Sequence, residues 1–426
     1  DCFGRNTGTR RVVDAAWAVT VGKSLDGRFV LHGSPLEMKH LKICFPALST
    51  SKGLKLPSLG ANMPSARVAI LGAGGFVSQR MQQRLANHPW FDLVAVAGQD
   101  SGRMLTTVPW RLKHKRPEAL NTISEPILDV HSPELHRSLK SLGVSIVFSA
   151  LPSSPAHAIE ALLSRNGLVV FSNSSAYRMH PEVPLAVADV NPESLKQWPG
   201  ELGLLACATN CTLIPVLHPL HVIANHHRIV RVKVRSEQAL SGAGWTLLLD
   251  EEKRKAAIGN EIEGEAEKLI EEAERILGIN AEWDVGCKRV DAEEGHIVNV
   301  ELELEQNVTY EEIKSLLLSQ EYNHLVQLPS APTSPIIVLD ESPTRAKHLW
   351  GSFQDSNPNP SQNLIAGMET ILHIEAVEGS TVKFKALSHN TIRGAAGGVV
   401  LLAELAVAEG EIPSVDINPS DASSER

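Results

Sequence analysis

A chain of 426 residues is long enough for two to three folding units at about 150 residues each, and 43% apolar residues supply a sizeable core. Its 40 Lys and Arg against 49 Asp and Glu give a net charge of −9, and aromatics are only 4%, which argues against the basic face and stacking platform of a nucleic-acid binder. The five cysteines (Cys2, Cys44, Cys207, Cys211, Cys287) form neither a disulfide framework nor a CxxC pair, and no apolar run approaches the ~18–20 residues of a membrane span, so a reduced, cytoplasmic protein with no metal site and no membrane partner is expected.

Residues 1–62 carry nine Lys or Arg against four Asp or Glu, with no sustained periodicity and no compact apolar stretch of a secretory signal. Met63-Pro64-Ser65-Ala66-Arg67-Val68 runs straight into a strand. Residues 1–65 are therefore expected to be an extension, disordered or not part of the fold, with ordered packing or a targeting role as the alternatives. From Arg67 strands and helices alternate: strand 68–71, helix 77–86, strands 93–97 and 144–150, helix 155–165, strand 168–171. This alternation predicts a parallel sheet with right-handed crossovers. After about residue 228 the pattern changes. Segments 230–235 and 296–304 alternate with period two, which predicts strands with one polar face in an antiparallel or mixed sheet. Between them, 251–278 is dense in Glu and Lys at helical spacing. Residues 340–362 read as a loop, 391–408 as a closing helix and 413–426 as a polar tail. The expected fold class is α/β: a Rossmann-type doubly wound unit followed by an α+β unit with a mixed sheet.

Several motifs carry chemistry. Gly72-Ala73-Gly74-Gly75-Phe76-Val77-Ser78 follows a strand and opens a helix. Glycines there permit a tight turn and close approach of backbone N–H groups to a pyrophosphate, which the helix N-terminus favours; an ordinary strand–helix turn is the alternative. Asn210-Cys211-Thr212 leads into a helical stretch from Leu213. A thiolate at a helix start is favoured by the macrodipole, so the pKa of Cys211 is expected to fall. A cysteine in an apolar segment is more often buried and inert, a reading that suits Cys207 better. Gln238 to Gly244 places two glycines after a strand, where backbone passes close to a ligand or simply turns. Arg289 and His296 lie seven residues apart across an expected hairpin; Arg can grip a carboxylate with two hydrogen bonds, and His can act as a base near pH 7. Glu265 and Lys268 share one helix face, where a solvated ion pair is the default.

In this order the motifs resemble those of aspartate-semialdehyde dehydrogenases, particularly the fungal and archaeal branch, from about Arg67 to Glu409. Gly72–Gly75 sits where that family has its GATGxVG loop, and Val147 to Ser153 looks like its cofactor-side strand and loop. Phe171-Ser172-Asn173-Ser174-Ser175-Ala176-Tyr177-Arg178-Met179 matches FSNxSAxRM, and Asn210-Cys211-Thr212 falls on the N-C-S/T nucleophile motif. Gln238 to Gly244 matches QAxSGAG. Gly264 to Lys268, with Gly278 ten residues on, matches GEEEK. Cys287 to Val290 and Gly295-His296 match CNRV and GHTE, and Ser388 to Gly397 matches SHNTxRGAAG.

The resemblance implies NADPH-dependent reductive dephosphorylation of L-aspartyl 4-phosphate to L-aspartate 4-semialdehyde through a cysteine thioester, in the biosynthesis of threonine, methionine and homoserine. It implies Cys211 as nucleophile, His296 as acid and base, and Gln238 and Asn210 as the orienting and oxyanion-binding amides. It implies Arg289 for the substrate carboxylate, Glu265 for its ammonium, and Arg178, Lys268 and Asn173 for phosphate. The implied cofactor contacts are Gly72, Gly74, Gly75, Phe76, Val77, Ser101, Arg103, Ser149, Ser241, Gly242 and Asn390. It further implies an NADP-binding domain over 66–209 completed by 391–412, a catalytic and dimerisation domain over 210–390, and a homodimer or homotetramer whose partners are a small-molecule substrate and inorganic phosphate.

This sequence departs from the family pattern in places. Ser78 replaces a glycine, Ala208-Thr209 stands for Asn-Pro, Ile297-Val298 stands for Thr-Glu, and residues around 259–263 are inserted. Ser101 and Arg103 suit NADP, whereas Asp100 would suit the ribose of NAD. The rival readings are an N-acetylglutamyl-phosphate reductase, a diverged paralogue acting on another acyl phosphate, and a non-catalytic dimeric homologue.

Overall fold

The computed structural model describes residues 21–23, 29–31, 66–353 and 357–412. Val21–Lys23 (β1) and Phe29–Leu31 (β2) pair as an antiparallel ribbon, which belongs to a separate unit spanning residues 1–61. The rest of the expected extension, and the polar tail 413–426, lie outside the described residues.

The first half of the larger unit runs β3 (Ala66–Leu71), α1 (Phe76–Leu85), β4 (Phe91–Gly98), β5 (Leu128–Asp129), α2 (Leu135–Ser141), β6 (Ile146–Ser149), α3 (Ser153–Arg165), β7 (Val169–Ser172) and β8 (Leu205–Cys207). The strands form one parallel sheet in the order β5-β4-β3-β6-β7-β8. Their unbroken apolar runs follow from burial on both faces. Val68, Ile70, Phe148 and Phe171 point into one apolar layer with Met81 and Leu85 of α1, while Ala69, Leu71, Val147 and Val170 point into another with Ile159 and Leu163 of α3. The strands are laid down outward from β3 on one side and from β6 on the other, and the boundary between them is the switch point at which a doubly wound sheet opens a crevice.

The second half runs α4 (Ile214–Ala224), β9 (Ile229–Gln238), α5 (Trp245–Leu249), α6 (Glu251–Ala257), α7 (Glu265–Leu277), β10 (Glu282–Arg289), β11 (His296–Leu304), α8 (Tyr310–Leu318), β12 (Ile336–Leu339), α9 (Arg345–His348), β13 (Thr370–Glu378), β14 (Thr381–Ser388) and α10 (Gly397–Ala408). Its sheet is mixed, in the order β10-β9-β11-β14-β13-β12. The period-two expectation holds: Val232, Val234, Val298, Val300 and Leu302 face the core, whereas Arg231, Arg235 and Glu303 face outward. α10 leaves this sheet and returns to the first, burying Val399–Leu402 in the layer that holds Phe148 and Phe171.

Three local expectations are corrected. Arg289 and His296 are not joined across a hairpin, because β9 lies between their strands, parallel to β10 and antiparallel to β11. The helical stretch 251–278 is broken into α6 and α7 by a turn in which Gly259 and Gly264 take positive φ. The closing helix begins with a π-helical turn, Ile392–Ala396, whose Gly394 and Ala396 N–H groups reach back five residues to His389 and Thr391.

Candidate active site

The loop 208–213 leaves β8 and enters α4, and it carries Cys211 to the C-terminal edge of the parallel sheet. There Sγ lies 3.3 Å from Nε2 of His296, the first residue of β11. The imidazole is fully buried, and its Nδ1 accepts the N–H of Ala239 at 3.1 Å. With Nδ1 accepting, a neutral ring carries its proton on Nε2 and presents it to sulfur as a donor. Taking a proton from the thiol onto Nε2 would require the ring's own proton on Nδ1 and the loss of the Ala239 bond.

The expected fall in the Cys211 pKa is corrected. Burial and then the Glu265 carboxylate push the thiol up to about 12, against the opposing pull of Arg178 and Arg289. The residue is only half-buried and lines an open cleft, so water there offsets part of this push. Burial, joined by the charges of Arg289 and Arg345, holds His296 well below its ordinary value. Two glycines make the packing around the thiol possible. A Cβ on Gly394 would stand 2.7 Å from Cβ of Cys211, and one on Gly242 would stand 3.0 Å from Nη1 of Arg289 and 3.3 Å from Cε1 of His296.

The cleft has a volume of about 320 Å³ and gathers motifs that are far apart in the chain. Asn173, Arg178, Asn210, Cys211, Gln238 and Arg289 line it, as do Glu265 and Lys268 from α7. Gln238 and Arg289 end adjacent parallel strands in register. Glu265 Oε1 accepts from Asn210 Nδ2 (3.0 Å), Gln238 Nε2 (3.1 Å) and Thr212 Oγ1 (3.2 Å), so this carboxylate orders the amides around the thiol. Arg178 is held by Glu272 at 3.0 Å and by its Nη2 bond to the Asn173 carbonyl at 2.8 Å. Glu272 lies outside the sequence motifs, whereas Thr212, Ser153, Ser174 and Ser175 fall within them without a role of their own. Glu272 could have been found, because it lies two helical turns from Glu265 on one face.

The expected cofactor residues divide into groups. Val77, Ser241, Gly242 and Asn390 line the same cleft. Asn390 is spanned by two bonds, accepting Gly295 N–H (2.8 Å) and donating to Ser241 Oγ (2.9 Å). Gly72, Gly74, Gly75 and Phe76 form the turn after β3, where Gly72 has φ +105° and Ser78 donates to its carbonyl. The N-cap Gly75 has no side-chain cap, so the first N–H groups of α1 are left for an anion, and the turn fits a dinucleotide pyrophosphate. Trp245 Nε1 donates to the Gly74 carbonyl at 2.8 Å and its ring packs on Phe76. Ser101 and Arg103 are exposed beyond the end of β4, where Arg103 bridges Asp100 at 2.9 Å. Ser149 is fully buried beside Glu160 and does not line the cleft.

Residues 67–198 match the family of the semialdehyde dehydrogenase NAD binding domain. The chain is 33% identical to an aspartate-semialdehyde dehydrogenase of Archaeoglobus fulgidus, over 80% of this chain and 98% of that one. It belongs to the aspartate-semialdehyde dehydrogenase family. An enzyme of the same name from Aspergillus fumigatus is 32% identical over 83% of this chain and all of its own. A crystal structure of aspartate-semialdehyde dehydrogenase with NADP from Candida albicans superposes with a TM-score of 0.65 at 26% identity, covering 82% of this chain and 100% of that one. Members from archaea and fungi thus bracket this sequence, as its motif order suggests.

Proposed function

We propose that this protein reduces L-aspartyl 4-phosphate to L-aspartate 4-semialdehyde with NADPH. The observation that carries the reading is the Cys211–His296 pair at 3.3 Å beside a cleft with separate groups for each part of an amino-acid phosphate. The Cys211 sulfur attacks the acyl carbon, the carbon–oxygen bond to phosphate breaks, the departing phosphate takes up the thiol proton, and a thioester forms; two easier steps replace one hard one. NADPH, when bound, supplies hydride to the thioester carbon. The carbonyl oxygen becomes an oxyanion that collapses to the aldehyde and returns the thiolate, which takes a proton from solvent. His296 Nε2–H, the Asn210 amide and the Cys211 backbone N–H hold that oxyanion. Arg289 forks onto the α-carboxylate. Glu265 pairs with the α-ammonium; its three internal bonds all fall on Oε1, which leaves Oε2 for the ligand. Arg178, Lys268 and Asn173, whose Nδ2 lacks a partner, seat the phosphate. Gln238 orients the substrate, and Arg103 serves the 2′-phosphate of NADP.

The test is the reverse reaction: aspartate semialdehyde, phosphate and NADP or NAD, followed by absorbance of the reduced nicotinamide. Turnover with NADP, abolished in a folded Cys211→Ala variant, is expected. Near-normal turnover by that variant sinks the proposal. We further place the reaction in the cytoplasm, a reading supported by the free state of Cys207, Cys211 and Cys287. We also propose a homodimer built through the second domain, as the family resemblance implies. Light scattering on the eluted protein checks the mass.

A further inference from the structure

We propose that Glu272 is a positioning residue that ties the phosphate seat to the nucleophile loop, an inference that rests on the reaction assigned above. Glu265 and Glu272 are seven residues apart on α7, about two turns along one face. Together they grip both sides of the loop 209–212. Glu265 takes Asn210 Nδ2 and Thr212 Oγ1. Glu272 Oε2 takes Thr209 Oγ1 and the Asn210 backbone N–H, each at 2.7 Å. The other oxygen of Glu272 accepts Nη1 of Arg178 at 3.0 Å. One carboxylate therefore holds both the backbone beside the nucleophile and the guanidinium that faces the cleft. Glu272 is only 2% exposed and does not line the cleft, so it acts through these neighbours. Hydrogen bonds to ionised groups are the stronger kind, and burial stiffens a satisfied network. A guanidinium has five donors, so Arg178 can keep Glu272 and still take a phosphate oxygen. The anion is seated correctly only while Glu272 holds the plane of that fork.

The experiment uses Glu272→Gln in the full chain. Its amide oxygen can still accept from Thr209 and Asn210, but its NH2 opposes Arg178. The KM for inorganic phosphate should rise about tenfold or more with the KM for NADP unchanged, since one charge-assisted anchor is lost. Inorganic phosphate should slow iodoacetamide labelling of Cys211 in the wild type and fail to do so in the variant. Combined with Arg178→Ala, the phosphate KM should be no worse than for Arg178→Ala alone, because both changes break one path. An unmoved phosphate KM, additive effects, or equal phosphate protection in wild type and variant overturns the inference. If Glu272→Gln does not fold, Thr209→Val removes one bond to the same oxygen. Its kcat should then fall several-fold at constant KM for NADP, and an unchanged kcat overturns the inference. The labelling readout needs no turnover: a wild type inactive on aspartate semialdehyde defeats the assigned reaction, while phosphate protection still decides the role of Glu272.

Discussion

The thiol of Cys211 sits under opposing electrostatic pressures. Burial and Glu265 raise its pKa, and Arg178 and Arg289 lower it. Only the thiolate alkylates. In the free protein, labelling by iodoacetamide should therefore rise about tenfold per pH unit from roughly pH 7 to 9, as expected for a thiol titrating above that range. A plateau already reached near pH 7 contradicts this. His296 stays neutral through the same range, so no step belongs near its ordinary value. Arg289 donates to the Ala239 carbonyl at 2.8 Å while facing the cleft. Arg289→Lys should raise the KM for aspartate semialdehyde strongly, because an ammonium cannot reproduce a planar fork. Gly394→Ala places a methyl against Cys211, and small displacements of reacting groups cost about 10²-fold in rate. Its kcat should fall accordingly, and unaltered turnover would show that the loop has room to yield.

α7 concentrates the polar work of the second half on one face. Besides Glu265, Lys268 and Glu272 it carries Arg275, whose Nη2 donates at 2.8 Å to the carbonyls of His180 and Val183. Those bonds pin the loop that carries Arg178. Arg275→Ala should lower stability by about 1 kcal/mol by leaving these partly buried carbonyls without their donor, read by urea unfolding. Much of this element was legible in the sequence, because Glu265, Lys268 and the capping Gly278 fall within a few turns of each other. The same holds for Cys211, Arg178 and the turn 72–75, each contained in a short contiguous motif. What was hidden depends on distant segments meeting. The insertion of β9 between β10 and β11 leaves no local trace, so the hairpin reading failed. At Cys211 the helix start is outweighed by burial and by the carboxylate that α7 brings. Nothing around Gly394 announces that it lies flush against residue 211.

Across the whole molecule, buried ionic groups join the two sheets. Arg393, in the π-helical turn, bonds Asp189, and His218 of α4 lies 3.2 Å from the same carboxylate and 2.8 Å from Thr370 of β13. Arg80 of α1 grips Glu294 at 2.7 Å. Burial pushes both carboxyls up, but the neighbouring cations win; Glu294 is held at about 2 and Asp189 well below the usual range. Their stabilisation is fully present above the unfolded value near 4 and is lost as pH falls toward the folded values. His389, held down at about 3 chiefly by burial, adds a loss that starts below the unfolded value of about 6.5. Thermal melts should therefore show Tm dropping from about pH 6 downward and steeply below about 4. A Tm constant down to about pH 3 would remove these groups from the stability account.

The return of α10 to the first sheet also sets when that sheet can be completed. Phe148 and Phe171 are made early, yet the partners that cover them, Val399–Leu402, follow the entire second sheet. A growing polypeptide on the ribosome thus carries a greasy, half-open sheet for most of its synthesis, and contacts so distant in sequence form slowly.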